Sequence, residues 1–505
     1  MKKLMIVVAV VLTAGVGLSS VRIAGPFTDG AVLQRGMKVP VWGWADPGEE
    51  VSVSFAGQTK TAKADETGAW RVDLDPLEAS CEGRDMTVGS VQSNNQTNSN
   101  QTILHDLLVG EVWFVSGQSN TELPLCGGPH FSDRNGHLMA QKTHLPLVRF
   151  CRTGCRIEET PQAMPRRPVQ WLKFLPENLL QKPSFSALGF YYGLELHNAL
   201  RIPIGLIGAY WGGTEIDAWV PREGHATRPD LKDILDWKVS LKWDGKHPKS
   251  LWTHNRPKDQ PGVIWNALVN PWCPYAIRGF IWYQGEANSR QPERYCSQMH
   301  ALYNGWSQKF ENPNLKLYYV QLAPWGKDIA KMQIAQAQFE REQPNAAMAI
   351  VNDVGNLTDI HPNEKGTVGL RLALHALKRD YGFADIQDNS PTVRDWTVEG
   401  DTAVLSFDNA KWLYQYNPDF SLTTRFELAG ADGVFKPAEI QNFVKGKKGG
   451  RPRGRIDGAE IRLKAEGVAD PVRVRYLHAE PWTGNVYNDA DLPLGAFELC
   501  KGENK

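Results

Sequence analysis

The stretch Glu111-Val-Trp-Phe-Val-Ser-Gly-Gln-Ser-Asn120 sets the tightest limit on how this chain can fold. Val112 to Val115 form a short apolar run, which predicts a buried strand. Ser116-Gly117-Gln118-Ser119-Asn120 ends that run with small and polar residues. Open α/β sheets place their ligand crevice at such turns, at the carboxyl ends of buried strands. A serine held there lies at the floor of a cleft, close to backbone N–H groups. Taken alone, the turn is equally compatible with a strand-to-helix connection in which Ser119 caps the next helix. Three later stretches shift the balance.

The chain has 505 residues, too many for one core, so roughly two to four domains are expected. Lys+Arg and Asp+Glu both number 56, leaving no net charge and no pull toward nucleic acid or an anionic membrane surface. Met1-Lys2-Lys3 and the apolar run Leu4 to Gly17 give a basic start and a hydrophobic stretch too short to span a bilayer. Gly17 and Ser19 follow at cleavage-like positions, so residues 1–20 are expected to be a secretory signal peptide. The mature protein is expected to be exported, to the periplasm or beyond, with no membrane span. Seven cysteines cannot all pair within one chain, and a disulfide framework is not expected. Cys151 and Cys155 lack a second Cys/His pair, so the expectation is no metal and no cofactor.

Residues 21–104 read as an N-terminal β domain. Val39, Val41 and the Trp42/Trp44 pair precede the turn Asp46-Pro47-Gly48, and Val51, Val53 and Phe55 then alternate with serines. From 105 to 387 the texture changes to strands alternating with amphipathic helices, which implies a mostly parallel sheet covered on both faces. Helical spacing is kept by Leu188, Tyr192, Leu196 and Ala199, and by Leu370, Ala373, Leu374 and Leu377. Residues 219–263, rich in Lys, Asp, Pro and Trp, read as an insertion over the cleft rim, where specificity often resides. From 388 to 500 the β texture returns as a C-terminal domain. Its run Lys445–Arg455 interleaves basic residues with glycines and reads as a solvated hairpin loop.

Four segments of the central region end in small or polar residues just past an apolar run. They are Gly117-Gln118-Ser119-Asn120, Trp211-Gly212-Gly213-Thr214, Gln284-Gly285-Glu286-Ala287-Asn288 and Asp359-Ile360-His361-Pro362. In a parallel sheet these ends share one edge, so they converge on one cleft. Acyl transfer needs a nucleophile, a base and donors aimed at the developing oxyanion. Ser119 can be the nucleophile and His361 the base. The N–H groups of Ser119 and Gly213 and a side-chain amide, Gln284 or Asn288, can supply the donors. Each amide could instead be purely structural. His105, beside Asp106, precedes the first strand and falls at the opposite edge. A paired-carboxylate glycosidase using Glu215, Asp217 or Glu286 would leave Ser119 and His361 without a role. A non-catalytic sugar-binding protein, with its function in the two β regions, would do the same.

These four blocks resemble, in order and position, those of the bacterial sialate O-acetylesterases, a branch of the SGNH hydrolase superfamily. Val32-Leu33-Gln34-Arg35 with Val39-Pro40-Val41-Trp42-Gly43 also resembles the family's N-terminal segment. Asn485-Val486-Tyr487-Asn488 through Leu492-Pro493 resembles its C-terminal one. The resemblance implies a three-layer α/β/α SGNH-hydrolase catalytic domain with a parallel sheet, flanked by N- and C-terminal β-sandwich-like domains. It implies hydrolysis of acetyl esters on sialic acids, with acetylated xylan or another plant polysaccharide as the alternative substrate. The family's nucleophile falls on Ser119, its base on His361 and its oxyanion donors on Ser119, Gly213 and the Gln284–Asn288 block. Three positions depart from the pattern. Thr121 stands where methionine is usual, and Asn356 where an acidic residue is common. Thr358 occupies the superfamily's aspartate position, three before the histidine, while Asp359 lies two before it. Asp359 is the expected third member, with a Ser119–His361 dyad as the alternative.

The signal-peptide reading predicts that protein purified from its native host lacks its first ~20 residues. N-terminal sequencing checks this, and a mature chain still beginning at Met1 would refute it.

Overall fold

The computed structural model describes residues 21–91, 101–128, 131–181, 185–242, 256–326, 329–417, 424–444, 454–478 and 483–501. The expected signal peptide, most of the basic run at 445–455 and residues 243–255 of the expected insertion lie outside these. An eleven-stranded sheet carries the molecule. In chain order its strands are β1 (Val32–Gln34), β2 (Glu50–Phe55), β3 (Gln58–Lys63), β4 (Ser80–Ser90), β5 (Gln101–Gly117) and β6 (Leu145–Arg152). They continue with β7 (Leu172–Phe174), β8 (Ile204–Tyr210), β9 (Gly279–Tyr283), β10 (Lys316–Val320) and β11 (Ala346–Ala349).

The run Val112–Val115 lies in the second half of β5, a strand of 17 residues. That half pairs in parallel with β8 on one side and β9 on the other, completing the spatial order β7-β6-β8-β5-β9-β10-β11. The first half of β5 pairs antiparallel with β4 and parallel with β1. The expected boundary between residues 104 and 105 therefore falls inside one continuous strand. The two halves also share one hydrophobic core, which runs from Val21 to Leu377.

Alternate side chains of β5 reach opposite faces, as a strand requires. Trp113 packs edge-on to Tyr192 of α2 (Ala187–Leu200) and donates its Nε1–H to the Tyr381 hydroxyl at 3.0 Å. Tyr381 closes α5 (Gly366–Tyr381). Phe114 points the other way, against Trp306 of α3 (Pro292–Lys309), which stacks on Phe280 of β9 at 4.5 Å. Helices thus cover both faces, and every residue of β8 and β9 is buried. That burial explains why these strands read as near-continuous apolar runs.

The described residues between 392 and 500 form a seven-stranded antiparallel sheet and a three-stranded one, around a second core that includes Leu405, Leu428, Leu463 and Val474. Helix α4 (Ile329–Glu342) contributes Ala330 to that core. No helix among the described residues is long and apolar enough to cross a membrane.

The changeover in β5 is marked by Glu111, which is fully buried. Its carboxylate accepts from Gln34 Nε2 (2.9 Å), Arg35 Nε (2.7 Å) and Arg278 Nε (3.0 Å). Burial alone would raise its pKa, but the guanidinium groups of Arg278 and Arg35 outweigh it and hold the carboxyl below its usual range. The resulting stabilisation is present above the ordinary glutamate pKa and is lost as pH falls through the lower folded value. Removing one partner of a buried ion pair leaves the other uncompensated. Both arginines reach solvent, so Glu111→Ala should cost about 3 kcal/mol, the low end for such a site. Urea denaturation checks this, and a cost under ~1 kcal/mol would show the cluster to be dispensable.

Candidate active site

The end of β5 is stitched to its neighbours by backbone groups. Gly117 has φ +137°, and a side chain there would drive a Cβ to 2.3 Å from the Tyr283 carbonyl oxygen, so glycine is required. The Gln118 N–H donates to that same carbonyl at 3.0 Å, and the Trp211 N–H donates to the Gly117 carbonyl at 3.1 Å. Thr121 is fully buried, and its hydroxyl reaches the carbonyls of Ser116 and Tyr283, each at 3.1 Å. Thr121 is therefore a buried tie between strand ends. Ser119 opens the short helix α1 (Ser119–Glu122), half-buried. Its hydroxyl makes no hydrogen bond among the described residues.

The Trp211–Thr214 loop lies directly against Ser119. A Cβ built on Gly212 would be 3.3 Å from the Ser119 Cβ. The Gly212 N–H is spent on the Glu122 carboxylate (2.7 Å), whereas the Gly213 N–H has no partner among the described residues. Gly213 sits at φ +63°, in the left-handed region. Arg256 and Lys258, from the end of the expected insertion, donate to the Gly213 and Gly212 carbonyls respectively. These two side chains brace the loop from outside.

The third block is tied to the first because the Ala287 N–H donates to Gln118 Oε1 at 3.3 Å. Here the structure separates the two candidate amides. Gln284 is not free to donate to an oxyanion, which corrects its expected role. Its Nε2 gives both hydrogens away, to the Thr214 carbonyl (3.0 Å) and Asn288 Oδ1 (2.7 Å), and its Oε1 accepts from the Tyr295 hydroxyl (2.8 Å). Asn288 Oδ1 also accepts from the Ile216 N–H at 3.1 Å, which fixes the amide's orientation. Its Nδ2 has no acceptor among the described residues. Gln284 positions Asn288, and Asn288 keeps the free donor.

The fourth block brings His361 and Asp359 together loosely. Asp359 Oδ1 accepts the His361 backbone N–H at 2.8 Å but stands 3.7 Å from the ring Nδ1, beyond hydrogen-bonding distance. Asn356 shapes the loop by accepting from the Thr358 N–H (3.0 Å) and hydroxyl (2.9 Å). Phe131 meets the imidazole edge-on at 5.1 Å. Partial burial pushes the His361 pKa below 6.5, the Lys365 charge adds to this, and Asp359 only partly opposes it.

Sequence reasoning missed the group behind these residues. Asn120 Nδ2 donates to Glu286 Oε1 (2.5 Å) and to the Ile360 carbonyl (3.0 Å), while its Oδ1 accepts from Lys365 Nζ (2.7 Å). Lys365 is fully buried, over the Tyr283 ring, and burial lowers its pKa to about 7. Burial raises that of Glu286. Asn120 and Glu286 lie within the recognised blocks, whereas Lys365, four residues after His361, carried no signal of its own.

The other candidates are elsewhere. His105 pairs with Asp85 at 3.0 Å, on the first half of β5. Asp217 is buried and occupied by His225 Nε2 (3.0 Å) and Gln298 Nε2 (2.7 Å). A cavity of about 460 Å³ between α4, β11 and the C-terminal sheet contains none of the four blocks.

Comparison with known proteins defines the class. Residues 262–378, which contain the third and fourth blocks, match the family model SASA, described as carbohydrate esterase, sialic acid-specific acetylesterase. A crystal structure of a carbohydrate acetylesterase from Xanthomonas citri is similar along almost the whole length. Its TM-score is 0.79 and its identity 29%, covering 95% of this chain and 99% of that one. The chain is an esterase, and the proteins it resembles are carbohydrate esterases. Within that class it resembles the sialate O-acetylesterases. It is 25% identical to the Homo sapiens protein of that name over 421 residues, 75% of this chain and 74% of the relative. To the Rattus norvegicus protein it is 26% identical over 435 residues, 77% and 78% of the two chains.

The electrostatics predict how the imidazole titrates. The His361 ring should titrate below pH 6.5 in an NMR titration. Asp359→Asn should lower its pKa further, and Lys365→Met should raise it. A ring titrating above 6.5, or opposite signs in the variants, would refute this balance of burial and charge.

Proposed function

We propose that this chain is an exported serine esterase that removes O-acetyl groups from sialic acids. The observation that carries the reading is the unbonded Ser119 hydroxyl packed against the Gly212–Gly213 turn, whose Gly213 N–H is unspent, while Gln284 leaves Asn288 Nδ2 unspent in the neighbouring block. Ser119 Oγ attacks the acetyl carbonyl while His361 takes its proton. The N–H groups of Ser119 and Gly213 and the Asn288 amide hold the tetrahedral oxyanion, at about 3 kcal/mol per donor. Collapse returns the proton to the sugar hydroxyl and leaves an acetyl-enzyme. Water, deprotonated by His361, then releases acetate and regenerates Ser119. The long distance from His361 to Asp359 fits a substrate-free site, where catalytic contacts are often loose. The helix–sheet–helix packing around β5 supports the three-layer SGNH-type reading, with the β regions on either side as accessory domains.

The names of the curated relatives favour sialic acid as the sugar. The similar solved structure is described only as a carbohydrate acetylesterase, so acetylated xylan or another plant polysaccharide is the second reading. Acetate release from acetylated sialic acids and acetylated xylan, measured side by side, separates the two.

Ser119→Ala and His361→Ala should each abolish most activity, with little further loss in the double variant, because the two act as a unit. Asn288→Ala should lower kcat by about 10²-fold, the loss typical of one oxyanion donor. Asp359→Asn should lower kcat by at least ~10²-fold with KM little changed, if the carboxylate stabilises the imidazolium. Full activity in a folded Ser119→Ala variant would end the serine mechanism. A loss under ~10-fold in Asp359→Asn would leave Ser119 and His361 as a dyad.

A further inference from the structure

Between α3 and α4, three ligating side chains meet that the esterase reaction does not use. Cys296 and His300 are four residues apart on α3, so one helical face presents both. Glu342, the last residue of α4, inserts its carboxylate between them. Its Oε2 accepts from the Cys296 thiol at 3.6 Å and lies 2.8 Å from His300 Nε2. All three ligating atoms lie within 4.8 Å of one another. The second carboxylate oxygen is held by Gln338 Nε2 at 2.8 Å, and the Phe339 ring lies edge-on to the imidazole at 4.8 Å. Second contacts of this kind orient the ligands of a metal site.

We propose that Cys296, His300 and Glu342 bind a divalent transition-metal ion, with zinc the best fit, and that the ion staples α3 to α4. The donor set is one sulfur, one imidazole nitrogen and one carboxylate oxygen. Borderline ions such as Zn²⁺ accept all three, whereas Mg²⁺ and Ca²⁺ take oxygen almost exclusively. The usual zinc bond lengths in a tetrahedron imply ligand separations of about 3.4–3.6 Å. The sulfur–oxygen pair already stands at 3.6 Å, and the nitrogen–oxygen pair at 2.8 Å needs only a small opening of the carboxylate. Cys296 is mostly buried while the Glu342 carboxylate is 44% exposed, so a water can complete the fourth position from the solvent side. The thiol binds as thiolate and its proton passes to solvent, so thiolate and carboxylate together neutralise the ion. The spacing escaped sequence reasoning because the third ligand lies 42 residues beyond His300.

The test is a titration of the full-length, chelator-treated protein with Co²⁺, followed by absorption. The proposal expects one equivalent to bind with a thiolate-to-cobalt charge-transfer band, displaced by Zn²⁺. The band should vanish in Cys296→Ser and in His300→Ala and persist in Cys155→Ser, an unrelated thiol. Zn²⁺ should also raise the unfolding temperature of the parent protein and not that of Cys296→Ser. No saturable band, or one that survives both ligand variants, would overturn the site. Esterase activity should be unchanged in EDTA, and its loss there would overturn the assignment of this ion to a structural role. Circular dichroism of the two variants shows that they are folded, and His300→Ala, at a less buried position, stands in should Cys296→Ser fail to fold.

Discussion

The backbone pairing of one 17-residue strand holds the molecule together. β5 spends its first half on the antiparallel strands of the N-terminal region and its second half between two parallel strands. The turn that carries Ser119 therefore extends from a strand fixed on both sides, with Glu111 and its two arginines clamping the changeover. A serine in a free loop would lose rotamer and backbone freedom on meeting substrate. Here the backbone part of that freedom is lost once, on folding. A change of texture suggested a boundary at residues 104 and 105, where one strand makes one sheet. Local texture reports how each half is covered, while hydrogen bonding across the junction leaves no mark in the sequence.

Behind that turn, one amide connects the Ser119 and His361 segments. Asn120 follows Ser119 directly, and its side chain holds the carbonyl that precedes His361. Lys365 and Glu286 fix the amide from opposite ends, one accepting from its nitrogen and one donating to its oxygen. A buried lysine and a buried carboxylate each raise the energy of a low-dielectric site, and a shared amide offsets both. Removing either would leave the other partly unpaired and release the Asn120 orientation. The network is thus a means of registering the Ser119 segment against the His361 segment, which come from opposite ends of the central region.

Most of this site was legible because its constraints are local. Gly117, Gly213 and the apolar runs before them are demanded by turns and buried strands, and short-range pattern reports both. The separation of Gln284 from Asn288 was not legible. Both are amides in one five-residue block, and only the positions of the Thr214 carbonyl, the Ile216 N–H and the Tyr295 hydroxyl decide which amide is spent. Lys365 was invisible for the opposite reason. A lysine after a helix-flanking proline reads as a solvated charge, and its burial is a tertiary fact, set by Asn120 and the Tyr283 ring.

Asp359 is where local pattern and geometry pull apart. Its carboxylate serves the His361 backbone first, since the 2.8 Å bond to the N–H shapes the turn that aims the ring. The ring Nδ1, at 3.7 Å, receives its charge without a hydrogen bond, through a side chain that is nearly half exposed. Solvent screens that charge, so it opposes burial and Lys365 only in part, and the imidazole stays depressed. A depressed imidazole is neutral at pH 7 and ready to accept a proton, but it is a weaker base and its protonated form is less favoured. The geometry thus favours the neutral imidazole over the imidazolium. Full stabilisation of the imidazolium requires the Asp359 carboxylate to close by under 1 Å onto Nδ1, within reach of a side-chain rotation. Substrate that covers this exposed edge would remove the screening water and strengthen the pair as the imidazolium forms.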